Sequence, residues 1–265
     1  MYSYHIHSTF SDGKNTPEEI VLAAIENGML AIGFSDHGYT KFDLRYCMKD
    51  TAGYCAEITR LKEKYKNKIQ IYLGIEEDAF DPVERDQFDY IIGSSHYFHK
   101  GNQYYPIDSS YDYFKECLKG FQYDVVAMAE QYYTEFCKHI AQRKPDVIGH
   151  FDLLTKFDEL DTSLFLENKK YCEVAEKFVN IVAQSGCMFE VNTGAMARGL
   201  RTSPYPSEPL LWNLKKTEAK LVLSSDSHGI ETLTFQFDET RKYLRDLGFN
   251  YAYALLDNRW EKYEL

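Results

Sequence analysis

The sequence predicts an α/β protein in which a parallel sheet is closed, or nearly closed, into a barrel. Short apolar segments typical of buried strands alternate with segments typical of helices along all 265 residues. No low-complexity linker and no short repeat of fixed period interrupts the alternation. Strict alternation of this kind favours parallel strands covered by helices, and an open, doubly wound sheet is the alternative arrangement.

Seven apolar segments are predicted to be the strands of this sheet. They cover residues 4–9, 31–36, 69–76, 88–94, 147–149, 188–192 and 220–225. Each segment is short, and six of the seven are followed by at least one helix-like stretch before the next strand begins. A further apolar stretch at residues 251–255 ends the pattern.

The first predicted helix has clear signals at both ends. Thr16 is suited to cap it, Pro17 to occupy its first turn, and Glu18 and Glu19 to interact with the positive end of its dipole. Gly28 is a natural stop. Further helices are predicted at residues 54–65, 111–121, 124–143, 167–185, 207–217 and 238–247.

The composition narrows the classes of partner. The formal charge of −11 argues against nucleic acid, because a phosphate backbone requires a basic surface. No apolar run is long enough to span a membrane, and the N-terminus lacks a basic-then-apolar signal pattern. The six cysteines contain no CxxC pair, as is common for free thiols in a reducing compartment. We therefore expect a cytoplasmic protein with neither a nucleic-acid nor a membrane partner; the sequence is also compatible with a homo-oligomer.

The histidines are concentrated where predicted strands end. His5 and His7 lie two apart on the first strand, so both imidazoles point to the same face. Four more histidines close the second, fourth, fifth and seventh strands, namely His37, His96, His150 and His228. In a βα barrel the carboxyl ends of the strands form the face where active sites are assembled.

Carboxylates occur at the same strand ends, which indicates a metal site. The nine candidate ligands are His5, His7, Asp12, His37, Glu76, His96, His150, Asp226 and His228. Imidazole combined with carboxylate suits zinc, manganese or iron better than calcium or magnesium. A catalytic zinc-type ion commonly has three protein ligands, so nine ligands are enough for three ions and more than enough for two. The two other histidines, His99 and His139, are expected to be a solvated loop residue and a surface helix residue.

At these residues the sequence resembles the PHP (polymerase and histidinol phosphatase) family. The matching segments, in order, are "HIHSTFSDG", "GFSDH", "GIE", "GSSH", "IGHFD" and "SSDSH". Among the branches of the family, the chain is most similar to the stand-alone histidinol-phosphate phosphatases. The segments "EVNTGAMARG" and "PYPSEPLL", the length and the lack of a polymerase domain fit that branch.

The resemblance implies a distorted (β/α)7 barrel, with residues 1–265 forming a single PHP-type domain and three metal ions at the carboxyl ends of the strands. The implied ligands are His5, His7, Glu76 and Asp226 for one ion, Glu76, His96 and His150 for a second, and Asp12, His37 and His228 for the third. Many family members have a histidine where this chain has Asp12, and a carboxylate there should favour a harder metal.

The activity implied by the resemblance is hydrolysis of L-histidinol phosphate in histidine biosynthesis. The hypothesis is attack on phosphorus by a metal-bridging hydroxide, with Asp226 or His228 as the group that protonates the leaving alkoxide. Arg198 follows the sixth strand and has the fork geometry for binding phosphate; Arg201 is a weaker candidate. Asn192, at the end of that strand, could orient a ligand or a water.

Three alternatives keep the histidine cluster but change its use. The same metal site could act on another small phosphate ester or on a phosphodiester. A metal-dependent amidohydrolase is a second alternative, although no strand end carries a lysine suited to carbamylation. The third is a protein that binds metals without catalysis.

Overall fold

The computed structural model describes residues 1–160 and 164–265. Seven strands of this part of the chain form one sheet in the order β1-β2-β3-β4-β7-β8-β9, and every pairing in it is parallel. Two antiparallel hairpins, β5–β6 and β10–β11, stand outside it. The strands are β1 (Tyr2–Ser3), β2 (Ala31–Phe34), β3 (Gln70–Asp78), β4 (Tyr90–Ser94), β5 (Tyr97–Lys100), β6 (Gln103–Pro106), β7 (Val147–Ile148), β8 (Met188–Asn192), β9 (Leu221–Ser224), β10 (Tyr251–Leu256) and β11 (Arg259–Glu264).

The sheet closes on itself, which confirms the predicted barrel over the open sheet. Ile6, just after β1, forms a parallel bridge with Ser227, just after β9. The Ser227 amide donates to the carbonyl of His5 at 3.1 Å, and the His7 amide donates to the carbonyl of Ser227 at 2.8 Å. These bonds join the first and last strands of the sheet at the carboxyl end of the barrel.

Helices surround the barrel as the alternation predicts. They are α1 (Pro17–Glu26), α2 (Thr51–Tyr65), α3 (Tyr111–Gly120), α4 (Val125–Arg143), α5 (Lys169–Val182), α6 (Gly194–Ala197), α7 (Glu208–Lys216) and α8 (Phe237–Asp246). The predicted start of α1 is confirmed. Thr16 accepts from the Glu19 amide, and the Glu19 carboxylate accepts from the Thr16 amide, which forms a capping box. No helix of the described residues is long and apolar enough to cross a membrane.

The amino end of the barrel is filled by aromatic side chains. The Tyr90 hydroxyl donates to the carbonyls of Tyr4 and Phe34, at 2.6 and 3.0 Å. A Cβ atom on Gly74 would lie 2.2 Å from the Tyr90 ring, so glycine is needed at that position. The Trp260 ring of the C-terminal hairpin packs edge-on against Tyr4. Access to the barrel interior is therefore from the carboxyl end.

Three local predictions were wrong. The first strand is regular only over Tyr2–Ser3, because the segment carrying His5 and His7 continues through the single bridge at Ile6. Residues 97–106 form the β5–β6 hairpin, so His99 lies on a strand rather than in a loop. His139 is buried, with Nε2 3.4 Å from Oε1 of Glu77, because the face of α4 that carries it packs against β4 and β5.

Candidate metal centre and active site

The nine predicted ligands converge at the carboxyl end of the barrel. Each belongs to at least one group whose potential ligand atoms lie within 4.8 Å of one another. The groups are His7, Asp12, His37 and His228; His5, His150 and Asp226; His5, His7 and Glu76; and His37, Glu76 and His96. These residues come from six strand ends that are far apart in the sequence, and the closed barrel is what brings them together.

Glu76, in β3, lies at the centre of the cluster and faces imidazoles on two sides. Its Oε2 atom is 3.2 Å from Nε2 of His5 and 2.9 Å from Nδ1 of His37. Its Oε1 atom is 3.1 Å from Nε2 of His150 and 3.4 Å from Nε2 of His96. The two oxygens thus serve two separate sets of histidines, which is the geometry that a bridging carboxylate needs.

The outer part of the cluster is built around His7. Its ring lies between those of His37 and His228, with ring centroids 4.4 and 4.2 Å away. Asp12 completes this part, with one carboxylate oxygen 3.3 Å from Nε2 of His228 and the other 3.8 Å from Nε2 of His37. Asp226 approaches from the other side, with Oδ1 3.3 Å from Nε2 of His7.

The cluster carries buried polar atoms without hydrogen-bond partners. Among the described residues these include Nε2 of His5, both ring nitrogens of His7, Oε2 of Glu76 and Nδ1 of His150. Buried polar atoms normally have partners. Unpaired lone pairs that converge from imidazole and carboxylate groups fit divalent metal ligation, and the donor set suits zinc-type ions.

The electrostatics of the cluster favour opposite charges on neighbouring groups. Burial opposes protonation of His5, but Glu190, Glu76 and Asp226 outweigh it and hold the pKa of His5 well above its usual value. Burial together with the neighbouring His228 and His37 lowers the pKa of His7 to about 3. Burial also opposes ionisation of Glu76, yet the surrounding histidines keep its pKa well below the usual range.

A cavity of about 680 Å³ opens in front of the cluster, which is the size range of small-molecule sites. Its wall includes His37, His96, His150 and His228, together with Arg198 and Asp226. The wall also includes Tyr46 from the loop after β2, and Tyr97 and Asp108 from the β5–β6 region. The ligand cluster and a cationic side chain therefore face the same space.

The predicted substrate-binding residues take different places. Arg198 follows α6, lines the cavity, and donates from Nη2 to Oδ2 of Asp226 at 2.9 Å. Asn192 is buried at the end of β8 and contacts Glu190, the Gly194 amide and Asp226 rather than the cavity. Arg201 is also buried, bonded to Thr155 and stacked over the ring of Tyr205, and it lies outside the cavity wall.

Three further side chains of the site were not among the predicted site residues. Glu190, inside β8, accepts from Nδ1 of His5 at 2.6 Å. Asp78, at the end of β3, lies 3.3 Å from Nδ1 of His96. Lys156 lines the cavity, and its Nζ donates to the carbonyl of Asp108 at 2.7 Å. The sequence offered only a weak indication of these residues. Glu190 lies inside a predicted strand and Asp78 just after another, and a charged side chain that is buried there needs a partner.

Residues 3–194 match the PHP domain family. The chain belongs to the PHP domain family. The match covers six of the seven barrel strands and seven of the nine clustered residues, and it confirms the resemblance predicted from the sequence.

Similar proteins cover almost the whole of this PHP domain chain. A probable histidinol-phosphatase from Schizosaccharomyces pombe is 28% identical over 256 residues, which is 87% of this chain and 81% of the relative. A histidinol-phosphatase from Lactococcus lactis is 26% identical over 268 residues, covering 93% of this chain and 91% of the relative. Because they cover 87% and 93% of this chain, these alignments extend beyond the family match, which ends at residue 194.

Solved structures of PHP relatives share the fold. The histidinol phosphate phosphatase of Lactococcus lactis, crystallised with zinc, L-histidinol and phosphate, superposes with a TM-score of 0.72 at 21% identity and covers 98% of both chains. A putative histidinol phosphatase from Listeria monocytogenes has a TM-score of 0.76 at 22% identity and covers 90% of this chain and 99% of that one. The distorted seven-stranded barrel is thus the shared architecture.

Proposed function

We propose that this PHP domain protein is a metal-dependent phosphatase that hydrolyses L-histidinol phosphate to L-histidinol and phosphate, and so acts in histidine biosynthesis. The observation that carries the proposal is the convergence of nine metal-ligand side chains on a small-molecule cavity that also contains Arg198. The curated relatives named histidinol-phosphatase, and the Lactococcus structure with zinc, L-histidinol and phosphate, support this choice of substrate.

We propose three ions as the metal complement, zinc, manganese or iron, held by the ligand sets that the family resemblance implies. The contacts on both oxygens of Glu76 support a bridge between two of the ions. His7, Asp12, His37 and His228 support a third position. When bound, such ions activate a water as the nucleophile and neutralise charge on the phosphoryl oxygens.

The chain's own residues bind the phosphate and handle the proton. Arg198 presents its guanidinium to the cavity, where its fork can hold two phosphoryl oxygens. Its contact with Asp226 fixes the guanidinium on the metal side of the cavity. This arrangement would let a phosphoryl group in the cavity contact both the guanidinium and the ligand cluster beside it.

Of the two predicted proton donors to the leaving alkoxide, we propose His228. Although burial opposes ionisation of Asp226, Arg198 and the surrounding histidines keep its pKa well below the usual range and leave that carboxylate without a proton to donate. The His228 side chain is 25% exposed and lines the cavity, whereas that of Asp226 is 7% exposed. His228 therefore has better access to the leaving-group oxygen. Asn192 is proposed to act behind this pair, through its contact with Asp226, instead of touching the substrate.

Phosphate release from purified protein tests the proposal. We expect metal-dependent release of inorganic phosphate from L-histidinol phosphate, faster than from other monoesters, a phosphodiester or a single-stranded oligonucleotide. Dialysis against a chelator should abolish it, and re-addition of zinc or manganese should restore it. Equal rates before and after removal of all metal would refute the mechanism, and preference for another ester would refute the substrate.

A further inference from the structure

We propose that Glu190 is a positioning residue for the metal centre: it fixes the ring of His5 and the end of β7 so that their ligand atoms point to the ions. This inference rests on the metal site proposed above, but it does not depend on the identity of the substrate. Glu190 is fully buried in β8, inside the barrel.

Three donors surround the Glu190 carboxylate. Nδ1 of His5 lies 2.6 Å from Oε1. The backbone amide of His150 donates to Oε2 at 2.8 Å, and Nδ2 of Asn192 donates to Oε2 at 2.9 Å. Thus one carboxylate connects the first, fifth and sixth strands of the barrel sheet at the level of the ligands.

The contact with His5 determines which ring nitrogen can bind a metal. An ionised carboxylate only accepts hydrogen bonds, so Nδ1 of His5 must carry the proton. In the neutral ring Nε2 then has the free lone pair, and this atom faces Oε2 of Glu76 at 3.2 Å and Oδ1 of Asp226 at 3.8 Å. A carboxylate behind a ligating histidine commonly sets its tautomer and orientation in this way.

The same carboxylate also holds other parts of the site. The bond to the His150 amide fixes the backbone at the end of β7, from which Nε2 of His150 reaches Oε1 of Glu76 at 3.1 Å. The Asn192 amide, held by Glu190, lies 3.4 Å from Oδ2 of Asp226. Glu190 therefore acts on three proposed ligands without contacting the cavity.

Replacement by glutamine, E190Q, tests this role with little change in volume. The amide has one acceptor and two donors, so it cannot accept from His5, His150 and Asn192 as the carboxylate does. We expect metal affinity, measured by competition with a chromophoric chelator, to fall by roughly 10–100-fold. Elemental analysis should find at least one fewer tightly bound ion per chain in E190Q than in wild type.

E77Q is the matched control. Glu77 is also a fully buried glutamate on a barrel strand, but it faces outward and pairs with Arg143 through Oε2 at 2.7 Å. Its replacement should lower the free energy of unfolding and leave metal affinity unchanged. If E190Q behaves like E77Q, losing stability but no metal affinity, Glu190 has only a structural role and the proposal is overturned.

A spectroscopic readout separates positioning from general destabilisation. In zinc-loaded wild-type protein with 15N-labelled histidine, His5 should appear as the Nδ1-protonated form with Nε2 bound to metal. E190Q should lose or exchange-broaden that signature. Retention of the same His5 signals in E190Q would also overturn the proposal.

A second variant, E190D, keeps the test valid if E190Q fails to fold. Phosphate release by the wild-type protein tests the proposed substrate separately from the role of Glu190. E190D keeps the charge but has a side chain one methylene shorter, so its carboxylate lies farther from His5 and His150. We expect its metal affinity to lie between that of wild type and that of E190Q. A metal affinity equal to wild type would contradict a role that depends on these short contacts. Wild-type protein whose metal affinity depends on Glu190 but which releases no phosphate from L-histidinol phosphate would refute the proposed substrate and leave the positioning role intact.

Discussion

Nη2 of Arg198 lies 2.9 Å from Oδ2 of Asp226, so the cation that faces the cavity is bonded directly to a proposed metal ligand. Burial opposes ionisation of Asp226, but Arg198, His5 and the neighbouring donors keep its pKa well below the usual range. Arg198 thereby helps to keep this carboxylate charged. The guanidinium can act on both the phosphate and the ligand cluster.

Removal of Arg198 should weaken substrate binding. Loss of a charge-assisted pair with phosphate costs about 1.5–3 kcal/mol, so the R198A variant should show a KM for histidinol phosphate raised by roughly 10–100-fold. R198K should recover part of the loss, because lysine keeps the charge but not the fork. K14A, at the rim of the same cavity, is the control and should change KM little. An unchanged KM in R198A would remove Arg198 from the phosphate site.

Neutralising Glu76 should affect more than one ion. Since its two oxygens face different histidines, E76Q should lose more than one equivalent of bound metal by elemental analysis. The accompanying fall in kcat should exceed the roughly 10–100-fold that is typical of residues behind the ligands. E77Q, one residue along but on the opposite face, should keep its metal. Loss of only a single ion in E76Q would contradict a bridging role.

Asp12 should influence which metal occupies the outer position. A carboxylate favours a harder ion than imidazole does, so D12H should shift that position from manganese or iron towards zinc. The measurement is elemental analysis after equilibration with equimolar zinc and manganese. The same zinc-to-manganese ratio in both proteins would show that Asp12 does not set the preference.

Asp43 should contribute a pH-dependent stabilisation to the rim of the cavity. Hydrogen bonding to Arg45 lowers the pKa of Asp43 from 3.8 to about 2. Partial burial opposes this shift, and a hydrogen bond from Tyr97 adds to it. A lowered pKa means that the stabilisation is present above about pH 5 and is lost as the pH falls from about 4 to about 2. Because the Arg45 side chain is 64% exposed, we expect only about 1 kcal/mol.

Urea unfolding of D43N measures this contribution. The variant should be about 1 kcal/mol less stable than wild type at pH 7, and the difference should shrink towards pH 3. E63Q, which alters an exposed carboxylate paired with Lys66, is the control and should differ little from wild type at either pH. A difference for D43N that does not change with pH would contradict the assignment to its charge.

His139 should matter for stability and not for metal binding. It is buried beside Glu77, on the helix side of the sheet. H139A should lower the free energy of unfolding by about 2 kcal/mol, while metal content and kcat stay at wild-type values. H150A, which removes a proposed ligand, should instead lose metal. Loss of metal in H139A would mean that the packing of α4 controls the centre.

Local sequence patterns predicted the elements well. The capping box at Thr16 and Glu19 and the apolar run of β8 involve residues close together in the chain, so their physical causes can be found there. The position of His96 and His150 directly after apolar strands was likewise sufficient to predict that they share one end of the barrel.

The errors have two different sources, one in distant segments and one in a weak local signal. His139 was predicted at the surface because its neighbours in the sequence are polar, yet the helix face that carries it is covered by other elements. The β5–β6 hairpin was missed because its strands are short and lie between a strand and a helix with clearer sequence patterns.

By itself the sequence determined most of the order of strands and helices, the parallel arrangement of the strands and the set of ligand side chains at strand ends, because strand alternation, helix capping and residue type are local properties. Only the tertiary structure decided which side chains meet. The pairing of Glu190 with His5, across 185 residues, and the two-sided contacts of Glu76 depend on barrel closure between Ile6 and Ser227. Closure sets distances between strands, and no local pattern along the chain encodes those distances.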